Sequence, residues 1–440
     1  MSIRKGRLSA AKIEQNFCDL HAPLNALQAE QEAARCLFCH DAPCVDACPT
    51  GIDVPGFIRK IASANLTGAA ITILEENIMG ATCANVCPVE ELCEEVCVKN
   101  TSEHKPVVIG QLQRFATDHL LAQGQQPFQR AAASGKHIAV VGAGPAGLSC
   151  AHRLAMLGHR VSIFEARQKA GGLNEYGLAA YKMNQQRAAK EVEFILGIGG
   201  IEIIYAQTLG KDISLDQLRQ QFDAVFIGLG HNDTNSLGLE NEAVEGVFNA
   251  VDYIEDIRQQ DLTSLPVGRD VVVIGGGNTA IDIAVQIKKL GAENVSMVYR
   301  RSLAEMGATE YEQHLAQTNG VVIRTHAKPV AIHAEGGKLS AVEFEHTQSD
   351  SSGGLSGSGE CFSLAADQLF KAIGQCFNPR PLKGSECPQL VAGRIQVDEQ
   401  QRTSLDNVWA GGDCTAGADL TVEAVNDGKL AALSIHKFLD

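Results

Sequence analysis

At 440 residues the chain has room for about three domains and a core that needs no disulfides, which excludes a small stapled scaffold. It carries 37 Lys and Arg against 52 Asp and Glu, a net charge of −15, and one Trp, which excludes a nucleic-acid surface of basic patches and stacking aromatics. Small cofactors and other proteins are the partners that remain.

Residues 1–16 carry Arg4, Lys5, Arg7 and Lys12 without an apolar run, and no stretch reaches 18 uninterrupted apolar residues. No secretory leader or membrane span is expected, and a cytoplasmic location follows. Helical patterns then run over Lys12 to Ala34, Val54 to Asn65, Leu66 to Asn77 and Ile109 to Leu121, with no strand between them. Eight of the fourteen cysteines fall in this region, as Cys36-x2-Cys39-x4-Cys44-x3-Cys48-Pro49, Cys83-x3-Cys87-Pro88 and Cys93-x3-Cys97. Clustered thiols in a cytosolic chain point to metal or redox work, because soft, anionic thiolates hold iron well. Two clusters need eight ligands, and Cys83 would be the eighth. Structural zinc is the competing reading, but it uses paired Cys-x2-Cys knuckles and only Cys36 and Cys39 have that spacing. Glu90, Glu91, Glu94 and Glu95 read as a solvated acidic face.

After a polar linker from Gln123 to Gly135 the texture becomes α/β. The Ile138 to Val141 run opens into Gly142-Ala-Gly144-Pro145-Ala146-Gly147, then a helix to Leu157 and a strand Val161 to Phe164 ending at Glu165. The first glycine allows the turn, the second lets the backbone approach a pyrophosphate, and the third lets helix pack on strand. The terminal acid can accept from a ribose hydroxyl. A second unit repeats the plan: Val271 to Ile274 opens into Gly275-Gly-Gly277-Asn278-Thr279-Ala280, and the next strand, Val295 to Tyr299, ends in Arg300-Arg301. Arg in place of the acid is a route to tolerating a 2′-phosphate. Ser349 to Gly359 is low in complexity between strand-like Ser340 to His346 and Cys361 to Leu364, and reads as a hairpin tip. Ala410-Gly-Gly-Asp413 precedes a helical stretch from Leu420 to Lys429, whose N-terminus could face an anionic or reduced ring. The thirteen His residues show no ligand spacing, and Cys414 lacks a CxxC partner.

On these motifs the chain resembles, over essentially its full length, the dihydropyrimidine dehydrogenase family: its N-terminal electron-input part and the separate small subunit that carries it. The resemblance rests on CHDAPC (Cys39 to Cys44), IGQLQRF (Ile109 to Phe115) and VEAVNDGK (Val422 to Lys429). The small subunit of glutamate synthase, which shares the plan, is a more distant likeness and the alternative reading. A zinc-stabilised, non-catalytic scaffold is the alternative of another class.

The resemblance implies an α-helical iron–sulfur domain, 1–130, followed by two Rossmann-like α/β domains, an FAD domain in two segments, 131–265 and 377–440, and an NAD(P) domain, 266–376. It implies one 4Fe-4S cluster on Cys36, Cys39, Cys44 and Cys97, and another on Cys48, Cys87, Cys93 and Gln113. For FAD it implies Gly142, Gly144, Pro145, Ala146 and Glu165, then Gly172, Leu173 and Lys182, then Asp413, Leu420 and Thr421; Lys182 stands where the family often has Arg. For NAD(P)H it implies Gly277, Asn278, Thr279, Arg300, Arg301 and the Ala372-Ile373-Gly374 turn, with Gly307 in place of a further Arg. Electrons would pass from NAD(P)H through FAD and the clusters to an FMN-containing large subunit that reduces uracil or thymine. The chain has no room for that subunit's barrel.

Overall fold

The helix expected over Lys12 to Ala34 is two helices. Ala10–Asn16 is capped by Ser9 and stops at Phe17. Asn25 opens Ala26–Ala33 with a capping box: its side chain accepts from the Gln28 amide, and the Gln28 side chain accepts from the Asn25 amide, both at 2.9 Å. Pro23, between them, lacks the N–H that a continuous helix would need.

The computed structural model describes residues 3–349, 354–384 and 386–440. These fold as two units. One consists of His21–Glu175, Met183–Asn232 and Phe377–Asp440. Its first part is helical, and Val54–Ala62, Leu66–Glu76, Gly80–Val86 and Ile109–Gln123 bury Phe57, Ile58, Ile73, Met79 and Leu112 in a common core. Asp53 and Asn65 cap the first two of these helices, accepting from the Gly56 and Gly68 amides at 2.9 and 3.0 Å.

The second part of this unit is a five-stranded parallel sheet in the order Val408–Ala410, Ala224–Ile227, His137–Val141, Arg160–Glu165, Ile201–Tyr205. Ile138 to Val141 are all buried, as a continuous apolar strand covered on both faces requires. The helix Pro145–Met156 follows the first glycine turn, and the last helix, Thr421–Leu439, packs along it.

The other unit consists of Met1–Leu20, Tyr176–Lys182 and Asp233–Cys376, described from Ile3 onward. Its five-stranded parallel sheet runs Val247–Asn249, Gln368–Lys371, Asp270–Ile274, Asn294–Val298, Val321–Arg324. Arg4 joins the unit through a two-way backbone pairing with Val267 at 3.0 Å. A three-stranded antiparallel sheet is made of Ala327–Glu335, Lys338–Ser349 and Leu355–Ala365. The last two strands form the expected hairpin but run longer than expected: Ser349 and residues 355–359, read as its tip, are strand, and 350–353 lie outside the described residues. A helical N-terminal part followed by two Rossmann-like sheets is thus the architecture that the motifs predict. Among the described residues no helix is long and apolar enough to cross a membrane.

Candidate functional site

The first glycine turn is held by its own backbone crowding. Gly142 has φ +97°, and a Cβ there would collide with the Gly228 carbonyl of the neighbouring strand end. A Cβ at Gly147 would collide with the Gly142 carbonyl, so the helix can begin this close to the strand only with glycine. Pro145 occupies the first helical turn, where a missing N–H costs nothing. Glu165, buried at the end of its strand, accepts from the Ala143 amide and the Arg167 amide, both at 2.8 Å. A carboxylate has about four acceptor positions, so the two oxygens retain capacity for ribose hydroxyls.

Further residues gather at this turn. The Gly171 amide donates to the Ala143 carbonyl at 2.8 Å, which lays Gly172 against Gly144, and Leu173 follows, partly exposed. On the last helix, Thr421 donates its hydroxyl to the Asn174 side chain at 3.1 Å, and Leu420 precedes the first helical turn without a side-chain cap, leaving backbone N–H groups free. The Gly412 amide donates to Asp427 at 2.8 Å, and burial pushes the Asp427 carboxyl up to about 6. Asp413 is raised as well, by burial first. These are buried carboxylates, suited to hydroxyl donors rather than to more anions.

The second glycine turn repeats the construction in the other unit. Gly275 has φ +150°, and a Cβ there would collide with the Ala372 carbonyl; the Ala372 amide in turn donates to Ile274 at 2.8 Å. The Ala372-Ile373-Gly374 turn therefore lies against the glycine turn, with its last two carbonyls accepting from the Asn235 side chain at 3.2 and 3.3 Å. Gly277 faces open space and starts the helix Asn278–Lys289 with no side-chain cap, so Asn278 and Thr279 present a helix N-terminus fit for a phosphate. Gly307 lies 4.0 Å from Gly277, measured from where a Cβ would stand. Arg300 is exposed beyond the neighbouring strand, while Arg301 keeps its Nε 4.0 Å from Glu305.

Lys182 falls in a different unit from the other residues of the FAD set. It belongs to the unit of the second turn, buried there with Nζ 2.7 Å from Asp282 and 2.7 Å from Glu312. Burial works against its charge, but the two carboxylates outweigh it and raise the ammonium's pKa. Tyr181 donates its hydroxyl to the same Asp282 at 3.1 Å.

The cysteine reading is corrected. Among the described residues, no group of three or more His, Cys, Asp or Glu side chains is arranged to hold a metal ion. The two 4Fe-4S clusters on Cys36, Cys39, Cys44, Cys97 and on Cys48, Cys87, Cys93, Gln113 therefore lack their ligand groups, as do an eight-cysteine set with Cys83 and a structural zinc. All fourteen cysteines are free thiols. Burial raises Cys36 and pushes Cys44 up to about 12, a hydrogen bond with Cys83 and then burial raise Cys87, and burial beside Glu94 raises Cys93. Gln113 uses its amide nitrogen on the Gly80 carbonyl at 2.7 Å.

Several buried polar groups were not marked by motif. Asp282 and Glu312 lie on amphipathic helices where an acidic residue reads as surface. Glu191 accepts from the Ala81 and Thr82 amides at 2.9 and 3.1 Å and from the Thr82 hydroxyl. His231 follows the strand Ala224–Ile227 and a Gly-Leu-Gly run, and that strand-to-glycine pattern was the available signal.

Comparison with known proteins agrees with the two-part plan. Residues 136–428 match the family described as pyridine nucleotide-disulphide oxidoreductase, and residues 13–125 match dihydropyrimidine dehydrogenase domain II, 4Fe-4S cluster. The chain is 36% identical to the NAD-dependent dihydropyrimidine dehydrogenase subunit PreT homolog of Salmonella typhi, covering 97% of this chain and 98% of that protein. It is 31% identical to the glutamate synthase [NADPH] small chain of Escherichia coli, covering 99% and 96%. Among solved structures, FprA of Mycobacterium tuberculosis superimposes with a TM-score of 0.56 at 19% identity, covering 69% of this chain and 85% of that one, a likeness of fold.

Proposed function

Because the chain belongs to the pyridine nucleotide-disulphide oxidoreductase family and, within it, to the dihydropyrimidine dehydrogenase subunits, we propose that it is the NAD(P)H-oxidising flavoprotein subunit of a pyrimidine-reducing enzyme. The observation that carries this reading is the pair of glycine turns, each wedged between strand and helix where a Cβ would collide with a backbone carbonyl. FAD would take the first, over Gly142, Gly144, Pro145, Ala146 and Gly147, with Glu165 toward the ribose. NAD(P)H would take the second, over Gly275, Gly277, Asn278 and Thr279. Bound FAD would supply the redox chemistry between the nicotinamide and the electron acceptor.

The residues of the chain hold and orient. The two uncapped helix N-termini would offer backbone N–H groups to pyrophosphate, and Asp413, Leu420 and Thr421 would line the flavin side. The domain plan that goes with this reading is 1–130, 131–265 with 377–440, and 266–376. The partner is a large, FMN-containing subunit that reduces uracil or thymine to the 5,6-dihydro form, and the compartment is the cytoplasm.

The test is a turnover assay. The isolated chain, loaded with FAD, is expected to pass electrons from NAD(P)H to an artificial acceptor and to leave uracil unchanged. Uracil reduction is expected only once the large subunit is added. Turnover of uracil by the chain alone, or copurification with a glutamate-forming subunit, would overturn the proposal.

A further inference from the structure

The loop after the strand Ala224–Ile227 carries a histidine that the reading above does not use. Its start is fixed against the first glycine turn: the Gly228 amide donates to Val141 at 2.8 Å, and Gly228 is the residue whose carbonyl a Cβ on Gly142 would strike. Three residues on, the His231 side chain is only 5% exposed. Its Nε2 stands 3.2 Å from the Asp419 carboxylate, within ion-pair range but off the line of a hydrogen bond. Asp419 is gripped from the other side by Arg394, through paired contacts of 2.8 and 3.1 Å. The other ring nitrogen, Nδ1, has no hydrogen-bond partner among the described residues.

An imidazole this buried with an idle nitrogen is costly unless something absent from the protein itself completes it. The surroundings show what that is. Asp419 directly precedes Leu420 and Thr421, and the backbone amides of Leu229 and Gly230 approach the Cys414 sulfur beside Asp413. Burial raises Asp413, and the His231 ring opposes that rise. The loop 228–231 and the loop 413–421 thus meet at His231, and both border residues assigned to the flavin. The geometry points to His231 as a further flavin-binding residue, its Nδ1 hydrogen-bonding the bound FAD while Asp419 and Arg394 act as positioning residues for the ring. This rests on the FAD reading of the first glycine turn.

The experiment titrates FAD into apoprotein and follows flavin fluorescence, for the native chain and for His231→Asn, His231→Gln and His231→Phe. Asn places an amide near the position of Nδ1, Gln near Nε2, and Phe keeps only the ring. Native protein and His231→Asn are expected to bind within about threefold of each other, and His231→Gln and His231→Phe about tenfold more weakly, the effect of one buried hydrogen bond. Should His231→Phe fail to fold, the contrast between Asn and Gln decides. Equal affinity for Asn and Gln would overturn the inference while leaving the FAD reading intact. No FAD uptake by the native chain would instead overturn the FAD reading.

Discussion

Gly428 lies directly against the carbonyl oxygen of Ala146: a Cβ at Gly428 would collide with that oxygen and stand 2.9 Å from the Cys150 amide. The contact joins the last helix to the helix that leaves the first glycine turn. Ser149 reinforces it, donating its hydroxyl to the Val425 carbonyl at 2.7 Å. Both obstacles are backbone, so neither helix can yield without moving the turn itself. Gly428→Ala is expected to destabilise the fold by about 1–3 kcal/mol, the usual cost of overpacking, and to weaken FAD binding with it. Urea unfolding of apoprotein reads the first effect; an unchanged midpoint would mean that the helices can part freely.

Glu191 gives a pH dependence with a definite sign. Burial pushes its carboxyl from an ordinary 4.5 up to about 7, against the Thr82 hydroxyl and the Thr82 and Ala81 amides, which favour the charged form. The folded protein thus holds a proton that the unfolded chain releases above pH ~4.5, and stability falls as pH rises from there to about 7. A shift of that size corresponds to on the order of 3 kcal/mol. Glu191→Gln mimics the neutral acid: its amide oxygen can accept from both backbone amides, and the Thr82 hydroxyl can turn to accept from its NH2 group. The variant should match native stability near pH 5 and exceed it at pH 8. A constant difference between the two proteins across that range would show that Glu191 is charged throughout.

The glycine turns were legible in the sequence because they depend on local covalent facts. Gly142 and Gly275 must adopt positive φ, and the strand, turn and helix around each lie within some thirty residues. The break at Pro23 and Asn25 was legible too, in the proline and the capping box, but a polar helical pattern covered it. What could not be read were partners far apart in sequence. Lys182 meets Asp282 and Glu312, respectively 100 and 130 residues on, and no spacing rule links them. The cysteine spacing misled for the converse reason: it does not fix side-chain direction, and among the described residues the side chains do not converge into a metal-holding group.

Lys182 therefore makes a stability prediction distinct from any flavin role. Removing the ammonium would leave two buried carboxylates without the cation they share, a change that typically costs about 3–5 kcal/mol. Lys182→Met is expected to lose that much in urea unfolding, whereas Lys182→Arg should lose less, since it keeps the charge but must fit a planar fork. The double variant Asp282→Asn, Lys182→Met should recover part of the loss. Full native stability for Lys182→Met would show that the pair with Asp282 and Glu312 does not persist in solution.

The choice between NADH and NADPH turns on the end of the strand Asn294–Val298. Arg300 is exposed there, with its backbone carbonyl fixed by the Thr347 hydroxyl at 2.6 Å, so the base of the side chain is held while the guanidinium reaches solvent. Arg301 is partly engaged by Glu305. A charge-assisted contact to a 2′-phosphate is worth roughly 1.5–3 kcal/mol, which is about 10- to 150-fold in kcat/KM. Arg300→Ala should lower kcat/KM for NADPH by about tenfold or more and leave NADH nearly unaffected, and Arg301→Ala should do less, having lost an arginine already shared with Glu305. Gly307 sits beside the open Gly277 without a side chain to add a third contact. Native preference for NADPH should therefore be modest, and Gly307→Arg should raise the NADPH to NADH ratio of kcat/KM. If that ratio stays fixed in all three variants, the strand-end arginines are solvated and the second glycine turn does not discriminate at the ribose.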